Sequence, residues 1–382
     1  MKNLRVLAIC RPDQLPPQTL EGLSDKEKYA CKTEWAVHTT LTDLGHEVHW
    51  LGVQYDLKPL REKIETWAPD IVFNLLDQFH GETLYCQHVA AFLELMKVPY
   101  TGCNPRGMVL SQGKDLSKKL LKYHRVPTPA FMVYPMGRKV VRPARLKFPL
   151  IVKSLTEDAS LGISQASVVY SDEKLLERVK FIHEQIGTAA IVEQYIDGRE
   201  IYVGVLGDDR LTVLPIWELK FGQMAPDALP IATETVKHNV EYQKKRGVQD
   251  GPADDLPKPL VSKIRTMVKR ICRTLELDGY ARVDLRLDKD GTPYFIEANP
   301  NPEIAASEEL AQSAMHDGIS YSELLERILA LGLRRAGQQP DYAEPSSQRA
   351  REVIPHVTPA PQPAPQPAPA TPAPLPAPPF SK

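Results

Sequence analysis

Short apolar runs alternate with segments of helical spacing over the first hundred residues. Strands are predicted at 4–10, 47–53 and 71–75, and helices at 28–44, 57–68 and 83–96. Strands and helices that alternate at this length predict an α/β unit, in which a parallel sheet carries helices on both faces.

From residue 114 the pattern changes to two blocks of mixed texture. The first block has predicted helices at 114–124 and 172–186 and strands at 130–134, 150–153, 165–170 and 190–196. The second has strands at 201–207, 211–219 and 231–236, a helix at 259–275, a hairpin at 280–298 and a last helix at 322–333. We therefore expect α+β architecture after the α/β unit.

Beyond Gly337 the sequence turns into Pro-Ala-Gln repeats without apolar periodicity. Such a segment cannot offset its ordering entropy by burial, so we predict a disordered, semi-extended Pro/Ala-rich tail over 337–382. A solvated spacer is one interpretation of this tail, and a ligand for an aromatic-lined groove on a partner is the other.

Composition narrows the class of function. The chain has 382 residues, of which 42% are apolar, so it can bury two or three globular units. A formal net charge of −1 argues against nucleic acid and favours a small-molecule substrate. Five scattered cysteines without a C-x-x-C pair indicate neither a disulfide framework nor a zinc cluster.

The sequence also predicts a compartment. The first apolar run is broken directly by Arg11, Pro12 and Asp13, which is too early for a signal-peptide core. No later stretch reaches the roughly 20 apolar residues that a membrane helix needs. We therefore expect a cytoplasmic protein without membrane contact.

The hairpin at 280–298 holds the most informative polar residues. Two apolar strands flank Asp290 and Gly291, a pair that favours a two-residue type I′ turn. That turn would place four polar side chains on one face of the sheet, with Arg282 opposite Asn299 and Asp284 opposite Glu297. These oxygen ligands suit a hard divalent cation such as magnesium, although an exposed hairpin face would present the same residues to water.

A set of short segments occurs in one fixed order along the chain. The segments are Phe79-His80-Gly81-Glu82-Thr83-Leu84, Pro99-Tyr100-Thr101-Gly102, Gln112-Gly113-Lys114, Pro149-Leu150-Ile151-Val152-Lys153, Val192-Glu193-Gln194-Tyr195-Ile196, Gly198-Arg199-Glu200, Arg282-Val283-Asp284 and Phe295-Ile296-Glu297-Ala298-Asn299-Pro300. Together they resemble the ATP-grasp superfamily, and specifically its D-alanine:D-alanine ligase-like branch, over residues 70 to 333.

This resemblance implies a domain order and an activity. It implies an N-terminal Rossmann-like preATP-grasp domain at 1–105, a small lid subdomain of the ATP-grasp fold at 106–197 and a C-terminal subdomain with the metal hairpin at 198–336. It also implies a ligase that uses ATP and Mg²⁺ or Mn²⁺. Such a ligase activates a carboxylate as an acyl phosphate, passes it to an amine, and releases ADP and phosphate.

The resemblance further implies roles for individual residues. The loop at 157–164 is similar to the family's Glu-Gly-Ser-Ser-x-Gly loop, with Asp158 and Ala159 in place of Gly and Ser. Nucleotide contacts are expected from Lys114, Lys153, Ser160 and Lys237 at the phosphates, from Glu193, Gln194, Tyr195 and Ile196 at adenine, and from Glu200 at the ribose. Metal ligands are expected at Asp284, Glu297 and Asn299, and catalytic roles at Arg282, Ser160 and Lys237.

The chain departs from the family at both substrate ends. It has Cys10-Arg11-Pro12-Asp13 where the family has an early Gly-Gly motif, and Asn299-Pro300-Asn301-Pro302-Glu303 where the family has Asn-Thr-Ser-Pro-Gly. Glu34 is a candidate for an amine contact, or else a solvent-facing helix residue. A carboxylate-amine ligase for an amino acid or peptide-like substrate, a D-alanine:D-alanine ligase proper and a non-catalytic nucleotide-binding protein all stay open, as does a homodimer.

Overall fold

The computed structural model describes residues 3–157, 162–222, 229–233, 236 and 240–338. The predicted tail lies outside these residues except for Gly337 and Gln338, which end the last helix. In the described part of the chain, no helix is both long enough and apolar enough to cross a bilayer.

The first sheet is parallel, as the apolar runs predict. It has the order β2-β1-β3, with β1 (Arg5–Cys10), β2 (Glu47–Gly52) and β3 (Ile71–Asn74). Its helices are α1 (Asp25–Ala30), α2 (Lys32–Asp43), α3 (Lys58–Trp67) and α4 (Cys86–Leu95). Alternate residues of β1 pack on α3 and α4 on one face and on α2 on the other, so the expected helical cover on both faces is confirmed.

Two helices lead from the first sheet into an antiparallel second sheet. These helices are α5 (Pro105–Gln112) and α6 (Lys114–Tyr123). The sheet has the order β4-β7-β5-β6, with β4 (Phe131–Tyr134), β5 (Leu150–Ser154), β6 (Val168–Val169) and β7 (Ala190–Gln194). Helix α7 (Asp172–Phe181) covers it through Leu175 and Val179, which are buried against Leu150 and Val152.

The third sheet has five antiparallel strands. Its order is β10-β9-β8-β11-β12, with β8 (Gly198–Leu206), β9 (Thr212–Lys220), β10 (Gln249–Pro252), β11 (Tyr280–Asp288) and β12 (Pro293–Pro300). The helices of this region are α8 (Val240–Arg246), α9 (Lys258–Thr274), α10 (Glu309–His316) and α11 (Tyr321–Gln338). The three sheets follow the order of the three expected segments, whose boundaries at 105/106 and 197/198 stay a prediction.

Some elements differ from the sequence-based expectation. The strand expected at 231–236 is wrong, because residues 231–233 form no strand and Val236 is helical. Ile231 is instead buried against Ile151 and Val168. The apolar character of this segment therefore reflects packing and not the hydrogen bonding of a β-sheet. Within 165–170, residues Gln165–Ser167 form a 3-10 turn and Val168–Val169 alone form a strand.

Four short elements were not expected from the pattern, namely α5, α8, β10 and α10. Helix α5 had a recognisable start, since the Asn104 side chain accepts from the Gly107 N–H at 2.8 Å and proline is the first helical residue. Its mixed apolar and polar sequence hides its length.

The turn between β11 and β12 has three residues rather than two. The Asp288 N–H donates to the Thr292 carbonyl at 3.1 Å, and the Gly291 N–H donates to the Asp288 carbonyl at 3.1 Å. Gly291 has φ of 75°, as expected for a three-residue loop that ends in a left-handed glycine. The expectation of a two-residue turn at Asp290 and Gly291 is therefore wrong.

A β-bulge restores the expected register farther along the hairpin. Next to the turn the pairing is shifted by one residue, so that Leu285 faces Phe295. Ile296 is the extra residue in the described pairing, and beyond it Asp284 faces Glu297. The loop has one residue more than predicted, and the bulge adds one residue to β12. These two changes offset each other, so the pairing beyond the bulge has the predicted register. The two predicted polar pairs are confirmed although the turn is not.

Replacing Gly291 with alanine tests the three-residue turn. A Cβ atom there would meet Leu260 Cδ2 at 3.8 Å, an ordinary contact, so the cost comes from the positive φ alone. We expect Gly291→Ala to lower the free energy of unfolding by about 1 kcal/mol, measured by urea denaturation. Gly291→Asn is the matched control and should cost less, because asparagine tolerates this conformation. Equal stability of all three proteins would contradict the turn.

Candidate active site

A cleft lies between the second and third sheets. Its lining contains nine of the residues that the sequence singled out, which are Lys114, Lys153, Glu193, Gln194, Tyr195, Ile196, Glu200, Asp284 and Glu297. Its apolar lining includes Ile151, Ile163, Ile231 and Leu285. A concave site with apolar walls and a few converging polar groups is the usual form of a small-molecule site.

Two lysines reach this cleft from different elements. Lys114 is the first residue of α6 and is buried, and its Nζ donates to the Glu157 carbonyl at 2.7 Å and lies 3.8 Å from Glu297 Oε2. Lys153 is in β5, with its Nζ 3.4 Å from Glu193 Oε2. The sheets thus bring together two ammonium groups that are 39 positions apart in sequence.

Glu193 is buried and lies between two ammonium groups rather than pointing freely into the cleft. Its Oε1 is 3.1 Å from the Nζ of Lys118, and its Oε2 is the atom near Lys153. Burial acts to raise the pKa of Glu193, but Lys118 and Lys153 outweigh burial and lower it. The carboxylate is therefore ionised and can only accept hydrogen bonds.

Two backbone N–H groups of the predicted adenine hinge already form hydrogen bonds within the fold. The N–H of Gln194 donates to the Ala130 carbonyl at 2.8 Å, and that of Tyr195 donates to the Pro149 carbonyl at 3.0 Å. These two N–H groups hold β7 in its sheet. A base at this edge of the cleft must therefore use the remaining groups of the hinge.

Arg286 organises the end of the cleft beyond the hinge, and sequence reasoning missed it. Its Nη1 donates to Glu200 Oε2 at 3.0 Å, and its Nε donates to the Ile196 carbonyl at 3.2 Å. The Tyr202 hydroxyl donates to the other oxygen of Glu200 at 3.0 Å. A signal was present, because Arg286 follows Arg282 and Asp284 at alternate positions of one strand.

The polar face of the hairpin forms a connected ion-pair network. Arg282 donates from Nε and Nη2 to the two oxygens of Asp284, at 2.8 and 3.0 Å, and from Nη1 to Glu309 at 3.1 Å. The Asn299 amide also donates to Asp284, at 3.1 Å. Arg282 therefore lies beside the proposed metal ligand, as expected, and its catalytic role stays a prediction.

The oxygen donors of this network fit a hard cation. Among the described residues, no group of three or more His, Cys, Asp or Glu side chains could hold a metal by itself. Mg²⁺ seldom needs such a group, since it is usually held by one or two carboxylates together with water and substrate phosphate. Asp284 and Glu297, with the Asn299 amide beside them, match that pattern.

Two predicted residues, Ser160 and Lys237, lie outside the described residues. The described end of the loop that contains Ser160 is anchored from α7. The Arg178 guanidinium donates to the Gly162 carbonyl and, at 2.9 Å, to the Ser167 hydroxyl. Arg178 therefore fixes the point at which this loop returns to the second sheet.

An acidic face lies beside the hairpin network, where α2 meets the segment before α10. We define it by Glu34, Glu303, Glu308 and Glu309. The Lys32 ammonium contacts Glu308 and lies 3.2 Å from Glu303, which also accepts from the Thr33 hydroxyl at 2.9 Å. Arg282 joins this face to Asp284 through Glu309.

Glu34 is buried in the acidic face, so the interpretation of a solvent-facing helix residue is wrong. Burial raises its pKa to about 7, and the charges of Glu303 and Asp77 act in the same direction. Arg11 opposes this shift more weakly, because it forms its ion pair with Asp77 at 3.2 Å. The fold thus keeps a carboxyl group where ionisation is costly.

The chain is similar to known proteins over most of its length. The family model described as D-ala D-ala ligase C-terminus matches residues 122–330. The chain is 36% identical over 312 residues to the uncharacterized protein y4sG of Sinorhizobium fredii, a match that covers 78% of this chain and 87% of that protein. It is 28% identical over 308 residues to a D-alanine--D-alanine ligase of Aquifex aeolicus, covering 81% and 97%.

Solved structures share the fold. The D-alanine--D-alanine ligase from Bacillus anthracis complexed with ATP has a TM-score of 0.67 and 24% identity, and the match covers 88% of this chain and 100% of that chain. The VanG D-Ala:D-Ser ligase from Enterococcus faecalis has a TM-score of 0.63 and 21% identity, covering 87% and 100%. These likenesses confirm the expected ATP-grasp fold of mixed α and β structure.

The pH dependence of stability tests the buried state of Glu34. A folded pKa near 7, above the ordinary value of 4.5, means that the folded state holds the proton more tightly. Stability should therefore fall as pH rises from about 4.5 to 7, by up to about 3 kcal/mol for this group. Glu34→Gln should remove this loss and raise the melting temperature at pH 8, with little effect near pH 4.5.

The exposed Glu65 on α3 supplies the control for this measurement. Glu65→Gln should change the melting temperature little at either pH, because a solvated carboxylate loses little on ionisation. A Glu34→Gln protein that is no more stable than the unmodified chain at pH 8 would contradict the buried, costly carboxyl group.

Proposed function

Because the chain belongs to the family of the D-ala D-ala ligase C-terminus model, we propose that it is an ATP-grasp ligase that joins a carboxylate to an amine. It uses ATP and Mg²⁺, forms a peptide or amide bond, and acts on an amino acid or a peptide-like substrate. One observation carries the proposal: two lysines, an ionised acceptor at the hinge and the hairpin oxygen donors line a single cleft.

The lining of the cleft fits ATP from one end to the other. Ile151, Ile163 and Ile231 supply apolar walls for a base, beside the hinge from Glu193 to Ile196. Glu200, oriented by Arg286 and Tyr202, is suited to accept hydrogen bonds from ribose hydroxyls. Lys114 and Lys153 are suited to hold phosphate oxygens as mobile point charges. We assign Ser160 and Lys237 to the phosphates on the family resemblance alone.

The hairpin supplies the metal site in this proposal. Asp284 and Glu297 would hold Mg²⁺ together with phosphate oxygens, and Asn299 would complete or orient the set. Bound there, the metal would neutralise charge on the terminal phosphates. Arg282 holds Asp284 in one orientation through its two hydrogen bonds, so its contribution is to position a ligand.

The chemistry needs no nucleophilic side chain from the protein. A carboxylate oxygen of the first substrate attacks the γ-phosphorus of ATP, and the bond to ADP breaks. The amine of the second substrate then attacks the carbonyl carbon of the acyl phosphate, inorganic phosphate leaves, and the nitrogen loses a proton. The protein contributes orientation and charge neutralisation, which are the main devices of phosphoryl-transfer enzymes.

The acidic face supports an ammonium-bearing substrate next to the metal site. It combines four carboxyl groups with the two cations Lys32 and Arg282. An ammonium group would be attracted to these carboxyl groups, and Glu34 is the candidate for its contact. Several relatives carry the name D-alanine--D-alanine ligase, yet this face includes Glu303, where the family has glycine. We therefore leave the amino acid pair to experiment.

The role of Glu297 has a direct test. Glu297→Gln keeps the size of the side chain but removes the charge that attracts a metal. We expect Mg²⁺-dependent ADP release to fall by about 100-fold or more, with little change in melting temperature. Asp290→Asn, exposed at the turn of the same hairpin, is the matched control and should keep full activity. Full ADP release by Glu297→Gln would remove Glu297 from the metal site.

The reaction itself is tested with ATP, Mg²⁺ and pooled L- and D-amino acids, with products identified by mass spectrometry. A substrate labelled with oxygen-18 in its carboxylate should then pass one label to inorganic phosphate. Label in AMP would contradict attack on the γ-phosphorus. D-alanyl-D-alanine as product would assign the chain the reaction that its relatives are named for. Absence of any nucleotide turnover with all substrates would favour a non-catalytic nucleotide-binding protein.

A further inference from the structure

Lys118 is a fully buried lysine behind the wall of the cleft. It lies on α6, four residues after Lys114, with no exposed surface in the described structure. Its ammonium is 3.1 Å from Glu193 Oε1, donates to the Ile296 carbonyl and lies 5.1 Å from the centre of the Phe295 ring. These contacts join α6, β7 and β12, and each of these elements carries a residue that lines the cleft.

The charges around Glu193 do not balance. One carboxylate lies between the two ammonium groups of Lys118 and Lys153, so these three side chains by themselves carry one surplus positive charge, with Glu297 acting on Lys118 as a weaker negative charge. Burying charge is costly unless it is paired, and a surplus charge at the edge of a cleft is available to an anion. One of the two lysines can act as the counterion of Glu193, and the other can then bind an anionic ligand.

The two lysines differ in three ways. Lys118 is the closer to Glu193, at 3.1 Å against 3.4 Å for Lys153. Lys118 has two further partners that fix its ammonium, the Ile296 carbonyl and the Phe295 ring. Lys153 lines the cleft and keeps some exposed surface, whereas Lys118 does neither. Lys118 is therefore positioned to stabilise Glu193 within the fold, and Lys153 is positioned to bind a ligand in the cleft.

We infer that Lys118 is the resident counterion of Glu193 and thereby leaves the charge of Lys153 available for nucleotide phosphate. Lys118 is in this sense a positioning residue, since it acts through Glu193 and Lys153. Without it, Lys153 would be the remaining cation beside a buried carboxylate and would be held there. The inference rests on the proposed function, because it takes the ligand of Lys153 to be the phosphate chain of ATP.

The hydrogen bond from Lys118 to the Ile296 carbonyl also supports a positioning role for Lys118. Ile296 is the extra residue of the β-bulge, one position before Glu297. A bulge disrupts the ladder locally, and a lysine that donates to its carbonyl stabilises that geometry. The same ammonium therefore supports the hinge carboxylate and the strand that carries the proposed metal ligand.

The test is a mutant cycle read by ATP binding, measured by calorimetry without the other substrates. Lys118→Met should lower ATP affinity by about tenfold or more, the usual effect of losing a charge-assisted contact. Adding Glu193→Gln to Lys118→Met removes the carboxylate that would capture Lys153. The Glu193→Gln single variant is the reference, because Glu193 also lies at the proposed adenine hinge, and the double variant should bind ATP within about fivefold of that reference.

A purely structural role for Lys118 would give a different pattern. If Lys118 acted by packing alone, Lys118→Met would lower ATP affinity as much in the Glu193→Gln protein as in the unmodified chain. That outcome overturns the inference, as does wild-type affinity in Lys118→Met. Lys119→Met is the matched control, since Lys119 is the next residue on α6, is exposed and pairs with Asp115. It should leave ATP affinity unchanged.

Folding is followed by thermal melting of each variant. Lys118→Met leaves a carboxylate without its nearer partner, and it could fail to fold. The double variant has no such carboxylate, and a folded double variant that binds ATP far more weakly than Glu193→Gln overturns the inference. An unmodified chain that does not bind ATP overturns the proposed function and this inference together. ATP binding that Lys118→Met leaves intact overturns the inference alone.

Discussion

The site depends on the compensation of charges that folding removes from water. An isolated buried carboxylate or ammonium costs several kcal/mol, and pairing offsets this cost only when hydrogen bonds are well formed. Glu193 is held by two lysines, Glu200 by Arg286, and Asp284 by Arg282. The first two pairings cross between secondary-structure elements. Assembly of the sheets therefore also assembles the chemical groups of the cleft.

Much of the framework could be predicted from the sequence because periodicity reports burial. The parallel first sheet, the helices over it and the two long strands of the hairpin all have strong patterns, and they form where the pattern predicts them. Weak patterns gave the errors. The residues from Ile231 to Thr233 are buried without forming a strand, since burial does not specify a hydrogen-bond ladder.

Some residues of the site could be predicted from the sequence, and others could not. Residues that end a strand or begin a helix next to a family motif, such as Lys153 and Lys114, could be found from sequence. Lys118 could not, because a helical lysine is usually solvated and its partner, the Ile296 carbonyl, is 178 positions away in sequence. Glu34 is a similar case. Its surroundings come from Asp77 and Glu303, and nothing within its own helix indicates them.

The β-bulge at Ile296 has a consequence for how such a hairpin can vary. Side chains alternate along a strand, so a loop lengthened by one residue without the bulge would turn Glu297 and Asn299 toward the apolar core. The three-residue loop and the bulge are thus a matched pair, and neither can be lost singly without inverting the polar face. An insertion or deletion in this turn is compatible with the site only when the bulge in β12 changes as well. In related chains, the length of this loop and the presence of the bulge should therefore vary together.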